Sequence, residues 1–265
     1  DQFKLVGDSA YSWDSKIASI RLDHQFTKRF NGSLAGGYGS YGYEVTDKDP
    51  LAGFILKYRI NYPSVKVDFH LNSDKHKMGF GAQGMYYDFN PGTFSPNSPE
   101  STRKYVQMDL QQSLESGLYV SDQFDLMKRM HVDAGVRFSI FNVFGPANIN
   151  VYQEGVPRET LNLIDTIRYS SGQNVKSFYN WEPRLGLRYE LSQESSIKFG
   201  FNRIFQYLQL VTNTTAVTPV DIWQPSGPYF KPQKVDQISI GYYRNLKDRQ
   251  FEAFVEAYYK RIENV

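Results

Sequence analysis

Alternation of apolar and polar residues with a period of two runs through most of this chain, and it constrains the fold more than any other feature. The clearest run is VDAGVRFSI at residues 132–140, in which every second residue is apolar. Similar runs occur at residues 65–72, 184–191, 237–242 and 252–260. Because successive side chains of a β-strand point to opposite faces, this period indicates strands with one apolar and one polar face. The chain is therefore predicted to be all-β.

About ten antiparallel strands are predicted, joined by connections that alternate between short and long. Residues 105–127 form a continuous in-phase run, which is much longer than the usual globular strand of about 5–6 residues. The longest connection, Gly145–Asn180, has room for a hairpin of its own. The predicted strands are residues 16–26, 32–45, 53–72, 77–89, 104–126, 130–144, 182–191, 196–210, 235–245 and 250–264.

Two architectures produce this alternation: a soluble antiparallel sandwich and a membrane-spanning β-barrel. Long strands and the alternation of short turns with long loops favour the barrel, since a barrel strand needs about 9–11 residues to cross the lipid. The aromatic content of 16%, with 20 Tyr, 19 Phe and 3 Trp, also fits the aromatic girdles of such barrels. We expect residues 1–265 to form one partial transmembrane barrel domain.

Composition and motifs exclude several classes of function. A net charge of +2 argues against nucleic acid as a partner, and the absence of cysteine excludes disulfides and thiolate metal sites. The four histidines have no metal-ligand spacing, and neither a phosphate-binding loop nor a Gly-x-Ser-x-Gly motif occurs. No apolar stretch approaches the ~18 residues of a spanning helix, and the first residues lack the pattern of a signal peptide. We expect a non-enzyme without cofactor or metal.

The charged strand residues are expected to point away from lipid, because Arg or Lys at the bilayer midplane costs about 2–4 kcal/mol. They would line the barrel lumen, where they form ion pairs, dock against a plug or contact substrate. The predicted lumen-facing residues are Arg137, Arg184, Arg188, Glu190, Lys198, Glu252, Glu256 and Lys260.

Several segments resemble the barrels of TonB-dependent outer-membrane receptors. YVSDQF at residues 119–124 leads through a basic turn into VDAGVRF at residues 132–138. EPRLGLRY at residues 182–189 and KFGFNR at residues 198–203 are similar to two successive strands of the same family. The segment at residues 215–244 resembles large receptors that carry a carboxypeptidase-like regulatory domain.

This resemblance implies a 22-stranded barrel with a plug domain inside it, so the chain is expected to be part of a longer protein. It also implies energised import of a scarce nutrient, such as siderophore-iron, a cofactor, a glycan or a peptide. The implied partners are outer-membrane lipid and the TonB complex, which a segment of the missing plug would contact. A surface-exposed lipoprotein is a further candidate partner. The alternatives are a ten-stranded outer-membrane enzyme of omptin-like type and a soluble β-sandwich binding module.

Ligand recognition is expected in the long loops, because the long loops of outer-membrane barrels face the exterior. Aromatic rings among Asn, Gln, Ser and Thr make good recognition surfaces, since they offer large contact area at little entropic cost. The competing interpretation places the same rings in the interfacial girdle or in contacts between loops. The candidate ligand-binding residues are Trp223, Tyr229, Phe230 and Trp181.

Overall fold

The computed structural model describes residues 2–4, 9–211, 222–247 and 250–265. Almost all regular structure in these residues is β-strand, and the exception is a single 3-10 turn at Thr160–Asn162. None of the helical structure in these residues is long and apolar enough to cross a membrane. In chain order the strands are β1 (Gln2–Lys4), β2 (Ser9–Gln25), β3 (Phe30–Asp47), β4 (Phe54–Asn72), β5 (His76–Pro96), β6 (Val106–Gln107), β7 (Gln111–Met127), β8 (Met130–Phe144), β9 (Ala147–Tyr152), β10 (Leu163–Tyr169), β11 (Asn174–Glu190), β12 (Ser195–Gln206), β13 (Leu208–Val211), β14 (Ile222–Pro225), β15 (Gln233–Leu246) and β16 (Phe251–Glu263).

One antiparallel sheet contains most of these strands, in the order β1-β2-β3-β4-β5-β7-β8-β11-β12-β15-β16, with β6 paired to β5. Each long strand therefore pairs with the next long strand along the chain. Ten strands of 12–21 residues confirm the predicted number. Because a single continuous sheet has no second large sheet packed on it among the described residues, a sandwich is ruled out.

The sheet is open at both ends, with β1 and β16 as its outermost strands in the described part of the chain. A closed ten-stranded barrel requires its first and last strands to pair, and β16 pairs only with β15 here. The omptin-like alternative therefore lacks its defining closure. What the strands form is a section of a larger barrel wall.

Five strand predictions were wrong in their boundaries by more than two residues. β2 begins at Ser9 rather than at residue 16, and β5 continues to Pro96 rather than ending at residue 89. The run at residues 105–127 is not one strand, because residues 108–110 separate β6 from β7. β11 begins at Asn174, eight residues before the predicted start at 182, and continues the pairing with β8 toward the long loop. β12 ends at Gln206 rather than at residue 210, since the following residues pair with β14 instead of β15. The hairpin expected within Gly145–Asn180 is present as β9 and β10.

Pro63 does not produce the bulge that its position within a strand indicates. β4 keeps the same register to β5 on both sides of it, and the register shift lies instead between Lys57 and Arg59. Proline has no backbone N–H to donate, yet the ladder between β3 and β4 continues through Pro63, which pairs with Tyr38 on β3. The shift at Lys57–Arg59 is close to the end of β4 that carries the long loop.

Short connections and long connections lie at opposite ends of the sheet, as predicted. Residues 26–29, 73–75, 128–129, 191–194 and 247–250 join strands at one end. At the other end the connections are residues 48–53, 97–110, 145–173 and 207–232, and the last three of these contain additional short strands. This asymmetry is typical of outer-membrane barrels, in which the long loops face the exterior.

One face of the sheet is apolar near the short turns, and we call it the apolar face. Val136 on β8 lies between Val120 on β7 and Pro183 on β11. Large apolar side chains on this face are not covered by other parts of the protein: Ile20 is 68% exposed, Leu118 62% and Val255 74%. A continuous apolar surface of this extent needs a nonpolar environment.

The opposite face, here called the charged face, carries the charged strand residues. Residues directly opposed across an antiparallel ladder project to the same side. The pairs Arg137–Glu182, Arg188–Lys198, Lys198–Gly241 and Gly241–Glu256 therefore connect one surface from β8 to β16. All eight predicted residues lie on it, namely Arg137, Arg184, Arg188, Glu190, Lys198, Glu252, Glu256 and Lys260.

Both faces reverse their polarity toward the long-loop end. On β3 the apolar face runs from Phe30 to Tyr38 and then continues with Ser40 and Glu44. The charged face does the opposite, with Ser33 low on β3 and Tyr43 high on it. Eight residue steps at roughly 3.3 Å span about 26 Å, comparable to the ~25 Å apolar band of outer-membrane barrels.

The face assignment predicts opposite lipid contact for neighbouring residues. A tryptophan placed at Val136 of the full protein should be quenched strongly by brominated lipid, whereas one at Arg137 should be quenched weakly. Fluorescence in brominated and ordinary bilayers measures both variants under identical conditions. Equal quenching at the two positions, or stronger quenching at Arg137, would show that the sheet does not present this face to lipid.

Candidate functional site

The middle of the charged face is built around Arg137, whose guanidinium contacts two carboxylates. Its Nη2 lies 2.9 Å from Glu115 on β7, and its Nε lies 3.6 Å from Glu182 on β11. Gly117 leaves the space that this side chain crosses, because a Cβ there would lie 3.0 Å from the guanidinium. The three side chains are 25%, 20% and 11% exposed. Removing one member of so enclosed a group leaves its partners uncompensated, so the group acts as a unit.

A second group of charges lies beside it on β4 and β7. The Tyr119 hydroxyl donates to Asp68, and Lys66 lies 3.0 Å from the same carboxylate. Lys66 and Tyr119 line a recess of about 520 Å³, which is also bordered by His70, Gln83 and Arg184, one of the predicted lumen-facing residues. The recess is therefore lined by cationic and anionic side chains and by hydrogen-bonding groups, which suits polar contacts of many kinds rather than one ligand class.

Near the short turns the predicted residue Glu190 contacts a histidine and an arginine. Its carboxylate lies 3.2 Å from Nε2 of His131 and 3.2 Å from Arg188. Lys198 extends over the ring of Tyr243 at 3.8 Å. Within the described residues, Arg184, Glu252 and Glu256 have no ion pair. Arg188 and Glu190 thus pair with each other, and Arg137 pairs with Glu115 and Glu182. In the described part of the chain, the other five predicted residues, including Lys198 and Lys260, form no ion pair.

Above the charges, the same face carries the main hydrophobic cluster of the protein. Three stacked pairs of rings dominate it, with centroid distances of 5.0, 5.8 and 4.7 Å, and Phe89 and Phe141 are completely buried. The buried members are Tyr43, Val45, Tyr58, Ile60, Tyr87, Phe89, Phe141 and Tyr207. Tyr207 belongs to the loop after β12, so this loop folds onto the sheet instead of projecting away from it.

Tyr207 is held by polar contacts as well as by stacking. Its hydroxyl is 2.6 Å from the Ser139 hydroxyl and accepts from the Asn180 amide at 2.9 Å. Burial raises the pKa of Tyr207, because an apolar cluster disfavours the charged phenolate. Buried tyrosines usually find such partners, because an unbonded hydroxyl is costly in an apolar cluster.

Trp223, the first ligand candidate, is fixed through its backbone. The Tyr58 hydroxyl donates to the Trp223 carbonyl at 3.0 Å and accepts from the Trp223 N–H at 3.1 Å. Its side chain is partly buried and packs against the cluster. Residues 212–221, which carry the tip of this predicted loop, lie outside the described residues.

The other three candidates occupy different positions. Tyr229 joins two loops, since its hydroxyl accepts from the Asn150 N–H at 2.7 Å and donates to the Asn150 carbonyl at 3.0 Å. Phe230 follows it and is 48% exposed. Trp181 lies on the apolar face opposite Phe138, with ring centroids 4.7 Å apart. The four residues therefore do not form one site.

Sequence reasoning missed Tyr58 and Tyr207. Both occur in or beside strands whose alternation predicts a face but not a partner. The contacts between Tyr58 and Trp223 span 165 residues, so local pattern contains no signal for them. Within the described chain, no group of three or more acidic or histidine side chains is arranged to hold a metal ion.

Three solved structures share this fold over nearly the whole chain. "Copper transporter OprC" matches with a TM-score of 0.67 and 11% identity, covering 96% of this chain and 40% of that one. The ferric citrate transporter FecA matches with a TM-score of 0.63 and 11% identity, covering 96% and 35%. The ferric-catecholate import receptor Fiu from E. coli K12 matches with a TM-score of 0.58 and 11% identity, covering 98% and 43%.

The chain spans less than half the length of these structures. No curated protein sequence matches it. The family model described as "TonB dependent receptor-like, beta-barrel" matches residues 2–265. This match agrees with the antiparallel sheet, its apolar face and the long loops at one of its ends. The chain therefore belongs to the TonB-dependent receptor β-barrel family and forms part of a bacterial outer-membrane barrel.

Proposed function

We propose that this chain is the wall of an outer-membrane importer that takes up a scarce nutrient with energy delivered through TonB. The observation that carries the proposal is the reversal of polarity on both faces. A lipid-facing band on one side and a charged surface behind it on the other are what a water-filled or plug-filled lumen requires. Further strands would pair with the outer edges of the sheet to close a 22-stranded barrel around a plug.

We propose further that the charged face is the lumenal face. The loop after β12 reaches β4 on this side, although four strands of the sheet lie between them. Such a short connection is possible only across the concave side of a curved sheet. Arg137, Arg184, Arg188, Glu190, Lys198, Glu252 and Glu256 would then line the lumen, where the ion-paired ones stiffen the wall and Arg184 is available to a plug.

The cargo proposed for this importer is a metal chelate, with a cofactor, glycan or peptide as the other candidates. The names of structural neighbours support the first class, since they describe transport of ferric citrate, a ferric catecholate and copper. No covalent chemistry is required of the protein, which fits a receptor and not an enzyme. The proposed partners are outer-membrane lipid, TonB and, at the external surface, a lipoprotein.

Coupling to TonB is tested without knowing the cargo. Photo-crosslinking residues introduced along the periplasmic end of the full-length protein should capture TonB in living cells, because the energy must arrive through direct contact. Cells lacking TonB provide the background signal. If no position yields a product that depends on TonB, the importer proposal fails and the barrel serves another purpose.

Among the loop residues, Trp223 is the best candidate for cargo contact. Its backbone is fixed by Tyr58 and one side of its ring packs against the hydrophobic cluster, so the part of the ring that stays exposed is held in place at little entropic cost. Tyr229 is instead occupied in joining loops, and we assign Trp181 to the aromatic girdle at the lipid interface because it lies on the apolar face. Phe230 remains a secondary candidate.

Replacing Trp223 with alanine in the full protein should weaken cargo binding about tenfold or more, as expected for a buried aromatic contact. Binding is measured with radiolabelled ferric citrate, ferric catecholate and copper on cells. Trp181→Ala is the matched control and should leave affinity unchanged while removing an equal ring. Equal losses in both variants, or none in Trp223→Ala for a chelate that binds, would contradict the assignment.

A further inference from the structure

Two arms of the loop between β12 and β15 lie on the charged face at its long-loop end. They consist of residues 207–211 and 222–226, and β13 and β14 pair within them over four residues each. The Ser226 N–H donates to the Tyr207 carbonyl at 2.7 Å and closes the base of the pair. Tyr207 is 2% exposed and Ser226 is completely buried. The base of the arms is therefore packed like a protein interior.

Two tyrosines hold the arms to separate parts of the sheet. Tyr58 on β4 bonds both backbone groups of Trp223 on the second arm. At the base of the first arm, Tyr207 stacks on Phe141 of β8 at 4.7 Å, with the rings 4° from parallel. The arms thus extend from β12 across β11, β8, β7 and β5 to β4. They cross the proposed concave side of the sheet and connect strands that are not neighbours.

Tyr207, Leu208 and Trp223 of the arms pack on the hydrophobic cluster, which includes the least exposed part of the sheet. Phe89, Ser113, Phe141 and Ser139 are all completely buried, although the rest of each face is largely open. The Ser113 hydroxyl has no hydrogen-bond partner among the described residues. Lifting the arms would expose the rings and leave the two Trp223 backbone groups without their protein partner. Loops that open readily have the opposite character, with few buried apolar contacts.

We propose that the arms are a fixed partition across the outer part of the lumen, held by Tyr58 and Tyr207 as positioning residues, and not a lid that moves with the cargo. The partition shields the wall formed by β5, β7 and β8, so an incoming molecule passes on its other side. That the lumen is a path for imported nutrient rests on the proposed function. The docking of the arms does not.

A buried thiol reports whether the arms stay in place. Ser113→Cys in the full protein, with any cysteine outside these 265 residues replaced by serine, puts the thiol under the partition. Leu161→Cys, at a position 93% exposed in the loop between β9 and β10, is the accessible reference. A membrane-impermeant maleimide added to intact cells should label Ser113→Cys roughly 100-fold more slowly than Leu161→Cys. Cells grown in rich medium with and without a protonophore should give the same slow rate.

Tyr58→Phe removes both bonds to Trp223 while keeping the ring. This variant should raise the labelling rate of Ser113→Cys about tenfold, the effect expected from losing hydrogen bonds of ordinary strength. Tyr242→Phe is the matched control, because Tyr242 lies on the apolar face and is 40% exposed. It should change nothing. Heat-modifiable migration on gels confirms that each variant is assembled.

Rapid labelling of Ser113→Cys without Tyr58→Phe would show that the arms are not docked. A rate that rises in energised cells would show a moving lid, and an unchanged rate in Tyr58→Phe would remove its positioning role. Each of these results overturns the proposal. If Leu161→Cys is not labelled on intact cells, the proposed external location of the loops is wrong instead. In that case, the labelling rate of Ser113→Cys in detergent-solubilised protein still shows whether the arms are docked.

Discussion

Backbone hydrogen bonding between adjacent strands is the constraint on which the other features depend. In hydrocarbon no water is available to an N–H or C=O group, so strands that cross a bilayer must hydrogen-bond to their neighbours. The ladder from β2 to β16 does this through antiparallel pairs of consecutive long strands. Once that pairing is set, each side chain has only two directions, and the chemistry of each face follows from the register.

β3 and its neighbours β2 and β4 cross two environments, lipid and water, and this explains why the polarity of their faces changes along the strand. Near the short turns, lipid requires apolar side chains outside, and charges are placed on the other side. Beyond Tyr38 the outer side meets water, and pairs such as Arg59–Asp14 at 3.0 Å appear on it. The inner side is then free to carry aromatic rings, which the arms from the next loop bury. One periodic pattern therefore supports both a membrane wall and an internal core.

The sequence predicted the strand number, the turn and loop ends and the shared face of residues such as Arg137 and Lys198, because all three depend on local alternation. It failed where long-range pairing decides the structure. β11 extends to Asn174 because β8 offers partners up to Phe144, and nothing in the sequence near Asn174 shows this. The same limit applies to Tyr58, whose role is defined by Trp223 at the far end of the chain. The sequence places Tyr229 and Trp181 in one group of aromatic ligand candidates, whereas in the structure the Tyr229 hydroxyl joins two loops and Trp181 lies on the apolar face.

The central claim is that lipid ends at one level on the outer side of each strand. Spin labels placed one at a time at Leu34, Tyr38, Glu44 and Thr46 of the reconstituted full protein test it most directly. Power saturation measures the access of oxygen, which concentrates in lipid, and of a water-soluble nickel chelate. The account predicts high oxygen access at Leu34 and Tyr38 and high nickel access at Glu44 and Thr46. Uniform oxygen access at all four positions, or nickel access at Leu34, would contradict it.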